Sequence, residues 1–121
     1  MQQPVPTVTA EDVRRIAERD FGSEKLEAVL SELDKFGQQP WNQHRERVQL
    51  AILKMAGGDE DRLRQALQIA IADARDVLAA AEYPRYTLEI GFRETDQGFK
   101  EAVINDDWAQ YRTWLLSETG V

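Results

Sequence analysis

The side chains able to do chemistry are few, and their spacing does not favour a reaction. The only histidine, His44, sits in Asn42-Gln43-His44-Arg45-Glu46-Arg47. Two flanking arginines make that spot electropositive, which opposes a metal cation, and the chain has no cysteine to supply a thiolate. As a general base His44 would need an orienting carboxylate. Glu46, two residues on, projects from a different face of a helix, so His44 reads as a surface residue. Ser23, Ser31 and Ser117 lack the strand-turn-helix setting of a hydrolase nucleophile. Asp73 and Asp76 lie three apart beside Arg75, and no Glu-x-x-His metal motif accompanies them. Gly57-Gly58 is followed by neither Lys nor Ser/Thr, so it is not a phosphate loop. No catalytic residue, metal ligand or cofactor site is assigned, and the reading leans away from an enzyme.

Two aromatic clusters suit binding better. Glu82-Tyr83-Pro84-Arg85-Tyr86 places two tyrosines and an arginine around a proline. These residue types supply large amphipathic contact surface; the alternative is that the rings close the end of a helical bundle. The second cluster is Trp108, Tyr111 and Trp114. Trp108, Tyr111 and Leu115 share a helix face, whereas Trp114 lies about 240° around the axis from Trp108. Either that helix is covered on two sides or one indole is partly exposed, and an exposed indole would mark a partner surface. The candidate binding residues are therefore Tyr83, Arg85, Tyr86, Trp108, Tyr111 and Trp114.

The elements that must position them read as helices. Leu63, Ala66, Leu67, Ala70, Ile71, Ala74, Val77, Leu78 and Ala81 recur at spacings of three and four, which predicts one long central helix over about 60–82. Asp59 is its expected N-cap and Pro84 its stop, and Ile69, off the stripe, is expected to face a second neighbour. Before it come an extended lead-in over 1–8 containing Pro4 and Pro6, a helix over about Ala10–Phe21 opened by Thr9 and Asp12, and a helix over about Glu24–Phe36 capped by Ser23. Gly22 and Gly37 end these two. A third helix covers about Gln43–Met55, with Trp41 folded over its start or in a surface groove. Leu88, Ile90 and Phe92 alternate with Thr87, Glu89 and Gly91, a period of two. With no second strand to pair with, 84–98 is expected to be irregular. A last helix is expected over about Phe99–Leu116, with Asn105-Asp106-Asp107 as an alternative fresh start. The fold class predicted is all-α: a compact single-domain bundle of about five helices.

Composition narrows the partners. The formal net charge of −7 opposes nucleic acid phosphates and anionic lipid; it either favours a basic protein partner or serves only to keep a small domain in solution. No apolar run approaches a membrane span, and the start MQQPVPTVTA carries no signal peptide, so a cytoplasmic location is the default expectation. Self-association through an exposed tail helix, as a homodimer, is a further expectation.

The segments Gly57-Gly58-Asp59, Asp73 to Tyr86 (with Ala81-Glu82-Tyr83-Pro84-Arg85-Tyr86) and Asp107-Trp108-Ala109-Gln110-Tyr111 with Trp114-Leu115 resemble a group of small bacterial hypothetical proteins of about this length. The likeness implies a bacterial helical domain and carries over no functional residue. The function expected is a non-catalytic protein-binding module, by analogy of charge and size an immunity- or antitoxin-like one. The rival expectation is a small enzyme or ligand-binding protein with a pocket between helices that uses Tyr83, Arg85, His44 or a carboxylate.

Overall fold

Asp73 breaks the expected central rod. A computed structural model of the chain describes residues 6–37, 44–90 and 96–118, and those residues form seven helices and no strand. The helices are α1 (Ala10–Phe21), α2 (Leu26–Leu33), α3 (Arg45–Ala56), α4 (Glu60–Ala72), α5 (Ala74–Glu82), α6 (Pro84–Glu89) and α7 (Gln97–Leu116). The all-α bundle is as predicted, but the rod over 60–82 is two helices. Asp73 adopts an extended conformation, φ −156° and ψ 102°. Its N–H closes α4 on the Ile69 carbonyl at 2.7 Å, and its carboxylate accepts the Arg75 N–H at 3.0 Å to open α5. A short acidic side chain competes with the helix backbone in this way, which an apolar stripe does not report.

The seam on α4 is Leu63, Ala66, Leu67 and Ala70, continued on α5 by Val77 and Ala81. Ile71, expected inside, is 58% exposed. At 100° per residue it lies roughly 90° from the mean direction of the four buried α4 residues. Ile69 is also exposed, so among the described residues no second neighbour covers it.

The helix at the centre of the bundle is α3. Six consecutive residues, Val48 to Leu53, are buried, as is Ala56, and α3 packs against α1, α4 and α5. Burial all round is what its broad apolar face implies. Gln49 survives there because its amide donates to the Leu33 and Phe36 carbonyls at 3.0 and 3.3 Å. The turn into α4 needs glycine at Gly58: φ is +84°, and a Cβ would stand 3.0 Å from the Asp20 carbonyl oxygen at the end of α1.

Other boundaries moved for local reasons. α1 has the predicted span, with the Asp12 carboxylate accepting the Thr9 N–H at 3.0 Å. α2 is shorter than expected; Lys25, not Ser23, stands at its N-cap, and turns replace helix at both ends. Asp96 caps α7 by accepting the Phe99 N–H at 3.1 Å, and α7 runs unbroken through Asn105-Asp106-Asp107. Within 84–98, α6 occupies the first part. Proline suits its first position, where no N–H is needed. Leu88 is exposed and Ile90 buried, so their alternation marks neither a strand nor a loop. Trp41, Gly91 and Phe92 lie outside the described residues, as do Pro4 and most of the lead-in; Pro6 is buried.

Candidate functional site

α7 carries the candidate site, and Asp107 fixes its place. The Asp107 side chain is buried, and its two oxygens accept the N–H groups of Arg85 at 3.3 Å and Tyr86 at 2.9 Å. Those donors are the free N–H groups at the start of α6, where a carboxylate is doubly favoured by hydrogen bonding and by the helix dipole. α6 is thereby pinned to α7. On the surface Arg85 pairs with Glu89 and, at 3.4 Å, with Asp106. Tyr86 is half-buried beside this pair.

The buried face of α7 runs Val103, Ile104, Asp107, Tyr111. Tyr111 is 1% exposed and lies between the two indoles in sequence and in space. Its ring stacks with Trp108 at 6.4 Å and an interplanar angle of 6°, and meets Trp114 at 5.5 Å and 50°. On the helical wheel the indoles flank Tyr111 at about 60° on either side. Both indoles are half-buried, as the two shoulders of one seam.

Arg19 of α1 fastens the C-terminal end of α7. Its guanidinium donates to the Trp114 and Ser117 carbonyls at 2.6 and 2.9 Å, pairs with Asp20 at 2.8 Å, and lies 5.2 Å from the Trp114 ring centroid. It thus satisfies two carbonyls that the helix end leaves open while stacking on an aromatic face.

Beneath the seam lies a buried polar cluster. Glu82, 2% exposed, receives both arms of the Arg47 guanidinium at 2.7 and 2.6 Å. The Glu82 bond raises the Arg47 pKa further above its already high value. Lys54 donates to the Ala81 carbonyl at 2.7 Å, and burial lowers its pKa. Burial also pushes the Tyr83 phenol up to about 12, with the Glu82 charge adding to it. The Tyr111 phenol is raised by the same two causes, and its buried hydroxyl has no hydrogen-bond partner.

The hydrogen bonds of this cluster clamp α3 to α5. The shallow pockets along α1, between α2 and α4, and on both flanks of α7 are lined by none of Arg47, Lys54, Glu82, Asp107, Tyr83, Arg85 or His44. His44 is exposed at the start of α3, and no group of His, Asp or Glu among the described residues could hold a metal.

No family model, curated protein or solved structure matches this chain. Function is therefore read from the molecule's own surfaces. Two pockets flank the α7 seam. One, of about 360 Å³, is lined by Ala109, Gln110, Thr113, Trp114 and Ser117, on the side of the helix that bears Asp106. The other, of about 320 Å³, lies between Pro6-Thr7 and the Trp108 shoulder.

Of the six sequence candidates, Tyr83 and Tyr111 are buried, whereas Arg85, Tyr86, Trp108 and Trp114 reach the surface. Asp107, Glu82, Arg47 and Arg19 were missed. Two of them carried a signal: Asp107 is spaced four from both Val103 and Tyr111, and Glu82 four from Leu78. An acid at seam spacing marks a buried, partnered carboxylate.

Proposed function

We propose that the protein is a non-catalytic protein-binding module that receives a basic partner along the Trp114 flank of α7 and the adjoining α6. The observation that carries this reading is the line of Arg85, Tyr86, Gln110, Thr113 and Trp114, in which two half-buried rings sit among exposed polar groups. Aromatic anchors within a polar rim are the composition of a protein contact surface. Local charge agrees in sign with the whole chain: Glu89 and Asp106 stand against Arg85 alone, and the formal net charge is −7. A basic enzyme masked by this acidic surface would fit an immunity- or antitoxin-like role.

Capture from cells of the native source tests the reading, with wild type compared against a Tyr86→Ala, Thr113→Arg double variant. Neither substitution enters the buried clamp. A basic protein held by the wild type and weakened about tenfold or more by the variant is expected, with binding that falls as salt rises. Identical partner lists from two equally folded proteins would overturn it.

A further inference from the structure

The opposite shoulder of α7 has a different character, and it does not depend on the protein contact proposed above. Pro6 and Thr7 form one wall of its pocket; Trp108, Tyr111, Leu115 and Leu116 form the other. Leu116 is 65% exposed, an apolar side chain left at the mouth of an apolar slot. The volume of about 320 Å³ lies at the small end of ligand pockets.

At the rim stands Arg112. Eight of the ten described arginines engage a carboxylate through their side chains. The remaining two, Arg62 and Arg112, make no side-chain hydrogen bond or ion pair, and only Arg112 lines this pocket. The acids closest in sequence on α7 are already engaged: Asp106 by Arg85 and Gln110, Asp107 by the start of α6. An unpaired guanidinium therefore stands over a slot of two aromatic rings and two leucines.

We propose that this pocket binds a small carboxylate with an apolar or aromatic body, the body lying between Pro6 and the Trp108–Tyr111 stack and the carboxylate meeting Arg112. A guanidinium presents a planar fork of donors that matches a carboxylate, and it stays charged at any physiological pH. The apolar walls supply area burial, which grows with the body of the ligand and does not discriminate among bodies. The head group therefore supplies the selectivity. The overall negative charge keeps binding weak, with a Kd on the order of 0.1–1 mM.

The probe is 3-phenylpropanoate, titrated into the whole chain beside its uncharged amide and followed by two-dimensional amide and indole N–H NMR. Saturable shifts at the Trp108 indole and along 112–116 are expected with the acid, at an affinity about tenfold or more above the amide. Arg112→Gln, a substitution at an exposed and unpaired side chain, should bring the acid down to the level of the amide. Tyr86→Ala, which alters no charge and lies outside this pocket, should leave binding of the acid unchanged, which separates this site from the protein contact. A peptide ending in Phe with a free carboxylate, compared with its amidated form, identifies the source. Tighter binding than the free acid would assign a chain terminus, and weaker binding a small molecule. No saturable shift at Trp108, equal affinity for acid and amide, or unchanged affinity in Arg112→Gln would overturn the proposal.

Discussion

Arg47 holds Glu82 through two hydrogen bonds of 2.7 and 2.6 Å, and this pair joins the central helix α3 to the last turn of α5. Glu82 is buried while Arg47 keeps a partial opening to solvent. The geometry is strong, but so is the desolvation that burying a carboxylate entails. The pair therefore specifies where α5 docks more than it adds net stability.

Breaking it on one side should be costly. Arg47→Ala leaves a buried carboxylate without its cation and is expected to lose about 3–5 kcal/mol in urea unfolding. An Arg47→Met, Glu82→Leu double variant should recover most of that loss, because neither position then holds a buried charge without its partner. A double variant as unstable as the single one would show that the pair contributes far more than it costs to bury.

The rotation of α4 gives a paired test. Leu67→Ala should cost on the order of 2–5 kcal/mol, since Leu67 is buried in the seam. Ile71→Ala, one turn later at an exposed position, should change stability by less than about 0.5 kcal/mol. Similar losses at both positions would contradict the burial seen here.

Asp73 is one residue serving two helices, α4 through its backbone N–H and α5 through its carboxylate. Asp73→Ala removes the acceptor that opens α5 and should cost about 0.5–2 kcal/mol. Asp73→Asn or Asp73→Ser should restore most of it, because each keeps a capping oxygen.

The buried tyrosines predict an alkaline weakness. Both phenols have folded pKa values raised by burial, Tyr83 to about 12. An unfolded tyrosine loses its proton near pH 10, so above that pH the unfolded state binds fewer protons and stability falls as pH rises. Lys54 acts in the opposite sense: its lowered pKa lets stability rise with pH up to its unfolded value of 10.5. Urea midpoints at about pH 9 and about pH 11.5 should therefore fall in the wild type and fall less in Tyr111→Phe. At neutral pH that substitution deletes an unpartnered buried hydroxyl, so stability should hold or rise, by up to about 2 kcal/mol.

Much of the bundle is legible in residue order because it rests on periodicity and punctuation. The span of α1, the glycine turns at Gly22 and Gly57-Gly58, and the seam Leu63-Ala66-Leu67-Ala70 follow from apolar spacing and from glycine's freedom at positive φ. The break at Asp73 does not, since the apolar repeat continues through it and the choice is made by one carboxylate. Nor does α6, whose six residues are too few for periodicity and whose start is secured by Asp107, 21 residues further on. The candidate site was half visible. Aromatic residues drew attention to α6 and α7, but the angle between Trp108 and Trp114 left two arrangements open, and Tyr111 between them makes the indoles two shoulders of one seam. The charges that hold that seam, Arg19, Arg47, Glu82 and Asp107, find partners far away in the chain, and local reading pairs charges only with near neighbours.

If the Trp114 flank is the contact surface, a captured partner will shield it from solvent. Hydrogen–deuterium exchange, compared between the free protein and its complex, should show protection concentrated in 84–89 and 109–117. The exposed Ile69 and Ile71 face of α4 should exchange as before. Protection over α4 with none along 109–117 would contradict the assignment and move the partner to the other side of the bundle.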